Sequence, residues 1–324
     1  MSKVIIGIIG GAGYTAGELL RILISHPYAE IGWVHSQSQT NKPITSVHQD
    51  LLGETELLFT SQLDWSVVDV LFLCGGHGAS QTFLQQHDVP DFIKIIDLSQ
   101  DFRMEGPEHN FVYGLPELHK NRIKEAEKIA NPGCFATCIQ LGLLPLAQAG
   151  LLTEDVHIHA ITGSTGAGQQ PTATSHFSWR NINVSIYKAF RHQHLREIKQ
   201  SLLGLQPDYS AKLNFLPVRG NFTRGIFASL YTTVPGSLSK TQEVYQHFYQ
   251  DSPFVHLTDT NPHLKQVVNT NKGIVYLEQH EDTLLVISMI DNLLKGASGQ
   301  AVQNLNLMMG WEETAGLRLK AGMF

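Results

Sequence analysis

The sequence predicts an α/β chain of two domains: a parallel-sheet domain, then a second α+β domain built on a largely antiparallel sheet. Three observations carry this. Strand-like and helix-like segments alternate through about the first 130 residues, which implies βαβ units. Beyond residue 151 the rhythm changes to a series of strands, many rich in β-branched residues. The 324 residues also suit two domains at roughly 150 residues each.

Taken in order, residues 4–9 are a short continuous apolar run, as in a strand buried on both faces. Residues 13–25 carry Leu19, Leu20, Leu23 and Ile24 at helical spacing, closed by Pro27. Apolar runs at 31–34, 70–74 and 93–98 give further strands, with a helix over 79–86 between the last two. The alternation closes at 128–131 and is followed by an apolar helix over 134–148. In the second part, 157–162, 213–218, 226–234, 273–279 and 284–290 read as strands. Glu281-Asp282 is the expected turn of a hairpin, and 240–250 the one convincing helix among them. One open face of such a sheet would support a homo-oligomer, a dimer or tetramer. A final helix over 296–309 is expected to return to the first domain, giving boundaries of 1–133 with 296–324, and 134–295.

Composition narrows the function. Hydrophobic residues are 42% and charged residues 16%, which excludes a disordered, solvating chain. Lys and Arg number 23 against 29 Asp and Glu, a net charge of -6 with no basic stripe. Neither nucleic acid nor an anionic membrane surface is therefore an expected partner. Three cysteines are too few for a secreted disulfide framework. The chain enters a strand pattern at Val4, so no targeting segment is expected. Residues 129–153 carry no formal charge, but Pro132, Gln140, Pro145 and Gln148 interrupt them, short of a membrane span. A reduced, cytoplasmic, soluble protein is the expectation.

Gly7, Gly10, Gly11 and Gly13 sit between the first strand and the first helix. Glycines there permit a tight turn and a close approach to a pyrophosphate, which the helix N-terminus stabilises. A structural turn is the bland alternative; the placement at the first βα turn favours a Rossmann-like nucleotide-binding domain. The second strand ends near His35-Ser36-Gln37-Ser38, where an NAD enzyme would carry an acid for the ribose 2′-hydroxyl. Its absence removes repulsion against a 2′-phosphate and leans towards NADP over NAD, although no arginine is there to clamp it. Gly75-Gly76-His77-Gly78 is either a second backbone surface for the cofactor or an ordinary loop.

Cys134, in Asn131-Pro132-Gly133-Cys134-Phe135-Ala136-Thr137, opens a helix. Unpaired amides and the positive end of the helix dipole favour a thiolate there. Cys74 and Cys138 read as small core residues. His192 and His194 flank Gln193; on an extended segment both rings would share one side, a proton-exchanging pair in preference to a metal site, since no third ligand accompanies them. His157 and His159 lie in an expected strand and read as structural or surface residues.

Longer blocks then become legible: Gly10-Gly-Ala-Gly-Tyr-Thr-Ala-Gly-Glu-Leu19, Ile96-Asp-Leu-Ser-Gln-Asp-Phe-Arg103, Tyr113-Gly-Leu-Pro-Glu-Leu118, the Cys134 segment, Gly163-Ser-Thr-Gly-Ala-Gly168, His192-Gln-His-Leu-Arg-Glu197 and residues 291–304. With these the sequence resembles, nearly end to end, the N-acetyl-gamma-glutamyl-phosphate reductases. These are the arginine-biosynthesis members of the aspartate-semialdehyde dehydrogenase-like group. The resemblance implies NADP-dependent reduction of an acyl phosphate to an aldehyde through a thioester on Cys134. It implies His194 as acid/base with His192 nearby, in a catalytic and dimerisation domain. It also implies cofactor contacts from Gly10, Gly11, Ala12, Gly13, Tyr14, Thr15, Ser36, Gly75, Gly76, Gly166 and Asn292, and no metal. Substrate contacts would come from Arg103, through its planar fork, and from Ser99, Asn131, Ser164 and Glu197. For Arg103 the bland alternative is a surface ion pair.

The chain departs from the family pattern at Gln193, where the family's HRH has arginine, and at Gln37, near the family's arginine after the second strand. It departs again along residues 215–225, which replace a segment usually closer to FxPHLxPxxRG. The same chemistry on N-succinyl-glutamyl, aminoadipyl or aspartyl phosphate is the alternative, with Arg219 and Arg224 as candidate partners for an extra carboxylate. A non-catalytic nucleotide-binding regulator or a cysteine hydrolase would be different in kind. The thiol and histidines in their motifs argue against the first, and the glycine turn against the second.

Overall fold

In the computed structural model the apolar run Val4–Ile9 forms β1, buried along Ile6–Ile9. The structure describes residues 3–76 and 78–322. The chain divides into two units, Met1–Pro132 with Ala297–Arg318, and Gly133–Gly296 with Leu319–Phe324. In the first unit β1 leads into α1 (Tyr14–Leu23), whose Ala16, Leu19, Leu20 and Leu23 face inward at helical spacing. Then follow β2 (Ala29–His35), β3 (Phe59–Thr60), β4 (Val70–Leu73), α2 (Ala79–Gln86), β5 (Lys94–Asp97), β6 (Val112–Tyr113), α3 (Pro116–Lys124) and β7 (Lys128–Ala130). All six strand pairings are parallel, in the order β3-β2-β1-β4-β5-β7-β6. Strand order therefore reverses between β1 and β4, the switch point at which doubly wound sheets open a crevice.

The second unit opens with α4 (Cys134–Gln148), and every residue from Phe135 to Ala147 is buried. Pro145 lies inside this helix and has no N–H for the Leu141 carbonyl one turn earlier. Tyr249 Oη donates to that carbonyl at 2.6 Å, and Tyr245 Oη to the Gly142 carbonyl at 2.5 Å. Both tyrosines belong to a later helix, so tertiary structure supplies the donor that the proline withholds. The remaining elements are β8 (Val156–Thr162), α5 (Phe177–Arg180), β9 (Ser185–Ile186), α6 (His194–Leu205), β10 (Leu213–Arg219), β11 (Ile226–Thr233), α7 (Leu238–Tyr249), β12 (Val255–Thr258), β13 (Gly273–His280) and β14 (Thr283–Ile290).

Their sheet runs β12-β13-β14-β11-β8-β10-β9. Four of its six pairings are antiparallel; β10–β8 and β12–β13 are parallel. Val156, Ile158 and Ala160 of β8 and Ala228 and Leu230 of β11 form its buried face. The opposite face is also apolar: Ile274, Ile287 and Met289 cluster with the partly buried Phe227, Tyr276 and Leu285. Last in the chain comes α8 (Gly299–Met308), in the first unit, where Asn304 Nδ2 donates to the Gly114 carbonyl and to Asn131 Oδ1.

Several expectations need correction. The 240–250 helix is not alone in its region, because α6 covers His194–Leu205 with Ile198 and Leu202 buried at helical spacing. The expected 296–309 helix starts at Gly299, after a π-helical turn over Leu294–Ser298. No described helix is long and apolar enough to cross a membrane.

Candidate active site

At the first βα turn Gly10 takes φ +77°, and a Cβ there would stand 2.9 Å from the Cys74 carbonyl carbon and oxygen. Only glycine fits both the dihedral and the space. Gly13 caps α1 in extended geometry without a side-chain hydrogen bond, so the first amides of the helix are not claimed by a capping side chain. Beside this turn lies a cleft of about 720 Å³ lined by Gly10, Ser36, Gly75 and residues at the ends of β1, β2 and β4. Among the described residues its lining, which also includes Gln37, Ser38, His35 and His87, contains no Asp, Glu, Lys or Arg. Burial, then the neighbouring His87, lowers the His35 pKa. A bare backbone cradle at a helix N-terminus, next to a polar uncharged cleft, fits a dinucleotide. Gly11 is buried and Ala12 half-buried; Tyr14 is exposed, and the Thr15 carbonyl accepts from Ser298 Oγ at 2.7 Å. Gly76 follows Gly75; His77 lies outside the described residues.

The thiol site belongs to the second unit. Cys134 is the first residue of α4 and half-buried. A Cβ on Gly296 would lie 2.8 Å from Cys134 Cβ, so the backbone there passes hard against the cysteine. The N–H of Gly133, the cap of α4, donates to Glu197 Oε2 at 2.9 Å. Glu197 Oε1 stands 3.9 Å from His194 Nε2, and both side chains are buried. Glu197 thereby ties the start of α4 to the first turn of α6.

His192 and His194 do meet, with ring centroids 4.5 Å apart, but not on an extended segment. Gln193 is helical and His194 opens α6, so the pair meets at a helix start. The His194 N–H donates to His192 Nδ1 at 3.3 Å, which leaves the His192 proton on Nε2. Phe135, Phe215 and Tyr187 surround His192, with ring centroids at 5.4, 5.5 and 5.8 Å. Burial, and next the charge of His194, push its pKa down to about 3. A ring held neutral in this way cannot serve as the proton donor near neutral pH, which separates the roles of the two histidines.

Other expected site residues are engaged within their own units. Arg103 is buried; Nε donates to the Asn131 carbonyl at 2.8 Å and Nη2 to the Leu98 carbonyl at 3.0 Å. Ser99 Oγ donates to the buried Asp97 at 2.7 Å, and Asn131 Nδ2 to the Ala297 carbonyl at 3.0 Å. In the second unit the Ser164 amide donates to the Phe222 carbonyl, and Gly166 is exposed. Asn292 joins Gly225 N–H at 2.7 Å to Thr165 Oγ1 at 3.0 Å. Sequence reasoning missed Tyr187, which packs edge-on against His192 and carries the Arg219 guanidinium 4.7 Å above its ring. A tyrosine five residues before a histidine pair has no spacing signal of its own. Cys74 and Cys138 are fully buried; burial pushes the Cys138 thiol up to about 12 and raises that of Cys74. Among the described residues, no group of three or more His, Cys, Asp or Glu could hold a metal ion.

Comparison with known proteins agrees with both halves. Residues 5–126 match the semialdehyde dehydrogenase NAD binding domain, and residues 134–292 the semialdehyde dehydrogenase dimerisation domain. The chain resembles aspartate semialdehyde dehydrogenase II of Vibrio cholerae, with a TM-score of 0.72 at 15% identity over 96% of this chain and 99% of that one. It also resembles the aspartate semialdehyde dehydrogenase with NADP of Candida albicans, TM-score 0.71 at 13% identity over 95% and 99%. At these identities the likeness concerns the fold. N-acetyl-gamma-glutamyl-phosphate reductase of Parabacteroides distasonis is 60% identical over 98% of this chain and 99% of its own length. The reductases of Bacteroides thetaiotaomicron, at 58%, and Flavobacterium johnsoniae, at 54%, align over the same shares. The chain belongs to the N-acetyl-gamma-glutamyl-phosphate reductase family, within the semialdehyde dehydrogenase fold.

Proposed function

We propose that this protein reduces N-acetyl-gamma-glutamyl phosphate to N-acetyl-glutamate 5-semialdehyde, releasing inorganic phosphate, in arginine biosynthesis. One observation carries most of the weight: end-to-end identity of 60% to a reductase of that name, in a chain whose Cys134 opens a buried helix beside paired histidines.

In this reading Cys134 Sγ attacks the acyl carbon, the carbon–oxygen bond to phosphate breaks, and phosphate leaves with the electron pair, giving a thioester. The backbone of Gly10, Gly11, Ala12 and Gly13, the α1 amides of Tyr14 and Thr15, and the cleft beside Ser36, Gly75 and Gly76 would hold NADPH, which would supply a hydride. NADP is preferred over NAD because no carboxylate lines the cleft to repel a 2′-phosphate. His194 protonates the oxygen that gains charge as the thioester is reduced. It takes that proton back when the thiohemiacetal collapses and the carbon–sulfur bond breaks. Glu197, proposed from the sequence as a substrate ligand, acts instead by holding His194 and the cap of α4 in register. His192, as a neutral acceptor, holds the backbone amide of His194. Arg103, Ser99 and Asn131 of the first unit and Ser164 of the second are the proposed substrate contacts, and Gly166 and Asn292 further proposed cofactor contacts.

We read the enzyme as a cytoplasmic homo-oligomer, a dimer or tetramer. The dimerisation-domain match and the partly exposed Phe227, Tyr276 and Leu285 on the sheet face away from α4 support self-association. A monomer mass independent of concentration in sedimentation would contradict it. The activity is tested in reverse, by NADP+ reduction with phosphate and N-acetyl-glutamate 5-semialdehyde. Phosphate-dependent turnover that Cys134→Ser abolishes is expected. Absence of turnover in protein that binds NADP+ would overturn the reading.

A further inference from the structure

The acyl-phosphate substrate is anionic at more than one point, and three arginines of the second unit differ in how they are engaged. Arg224 is locked: Nε and Nη2 each lie 3.1 Å from the carboxylate of Asp291, which is fully buried. Asp291 also accepts from the amides of Asn269, Leu293 and Leu294, which makes this pair a structural clamp on three chain segments. Arg180 is buried and donates to the carbonyls of Thr174, Asn183 and Arg219. Neither guanidinium is offered to a ligand.

Arg219 stands differently. It is the last residue of β10, and its guanidinium lies 4.7 Å from the centre of the Tyr187 ring. Tyr187 in turn packs edge-on to His192 at 5.8 Å, and His192 to Phe135, the neighbour of Cys134, at 5.4 Å. A cation is thus braced on an aromatic face two ring contacts from the nucleophile's helix turn. Among the described residues no carboxylate pairs with Arg219, and its Nε is buried without a hydrogen-bond partner. Electrostatics agree with this placement. Burial first, and then the charge of Cys134, raise the Tyr187 pKa to about 12, while Arg219 pulls it the other way. A buried guanidinium nitrogen lacking an acceptor is costly, and a carboxylate is the acceptor its planar fork matches.

We infer that Arg219, held over the Tyr187 ring, reads a carboxylate of the substrate and is a specificity-determining residue. This rests on the acyl-phosphate reading above. The carboxylate is either that of the glutamyl moiety or the terminal one of a longer, dicarboxylic N-acyl group such as N-succinyl. Arg219 falls in residues 215–225, one of the segments that depart from the family pattern, so it bears on which acyl group is taken.

The experiment compares wild type with Arg219→Leu and Arg219→Lys, in phosphate-dependent NADP+ reduction with N-acetyl- and N-succinyl-glutamate semialdehyde. Loss of a charge-assisted contact raises KM in Arg219→Leu by about tenfold to a hundredfold, with kcat changed much less. Arg219→Lys recovers part of the loss. A rise shared equally by both substrates assigns the glutamyl carboxylate; a rise confined to the N-succinyl substrate assigns the acyl one. Unchanged KM for both, or a fall in kcat alone, overturns the inference. Wild-type enzyme that turns over neither substrate fails the acyl-phosphate reading itself, a separate outcome. If Arg219→Leu melts early, Arg219→Gln gives the same comparison with the polar reach kept and the charge removed.

Discussion

Histidines two residues apart differ in what their surroundings let them do. His192 is ringed by Phe135, Phe215 and Tyr187 and accepts the His194 amide, so it stays neutral. His194 faces the carboxylate of Glu197, and in the proposed reaction it is the ring that exchanges a proton. His194→Gln is expected to lose about 10²–10⁴ in kcat, the usual worth of general acid–base catalysis, whereas His192→Gln, which keeps an acceptor, loses about tenfold at most. The pH dependence of stability carries the same signature. Folding lowers the His192 pKa from 6.5 to about 3, so the unfolded chain binds this proton first. Its stabilising contribution is full above 6.5 and is lost as pH falls towards 3. Thermal melts of His192→Gln are therefore expected to decline less steeply than wild type across that window. Parallel declines would remove the assignment of His192 as a buried neutral ring. The sequence placed both histidines and Cys134 in the site but could not rank the histidines. Rank depends on Phe215 and Tyr187, which come from other segments.

Elements differed in how far the sequence announced them. The 134–148 and 79–86 helices are found with those bounds, since each begins at a glycine boundary and carries a regular pattern. The two- to four-residue strands β3, β6, β9 and β12 are too short for any period to show. In α3 only Pro116 and Ile123 are buried, so the helix has little apolar stripe to read, although a proline at its start was a usable signal. The missed α6 had Ile198 and Leu202 one turn apart, a legible stripe overshadowed by the histidine motif in front of it. Within α4, Pro145 looked like an interruption, and the Tyr249 hydroxyl that restores the Leu141 carbonyl's partner lies more than 100 residues away in sequence. Tyr249→Phe leaves that buried carbonyl without its donor and should destabilise the protein by about 1–3 kcal/mol in urea unfolding. An unchanged midpoint would show that the carbonyl finds another donor and that the tyrosine is not what accommodates the proline.

At the scale of the molecule, the proposed reaction assigns cofactor binding to the first unit and the thiol chemistry to the second. The doubly wound sheet presents Gly10 and a polar, uncharged cleft at its switch point. The mixed sheet carries the thiol helix on one face and leaves the other apolar. This division was legible because the change from strand–helix alternation to a series of strands falls beside the cysteine. The engagement of Arg224 by Asp291 and the openness of Arg219 were not legible, since both arginines sit five residues apart in one segment and differ only in three-dimensional partners. The central claim is that Cys134 becomes acylated, and it is tested most directly without any reductant. The enzyme is mixed with the N-acyl-glutamyl phosphate in the absence of NADPH, quenched in acid, and its intact mass and peptides are measured. One acyl adduct per chain, mapped to Cys134 and absent from Cys134→Ser, is the result expected. An adduct on another residue, or none in enzyme that turns over when NADPH is added, would contradict it.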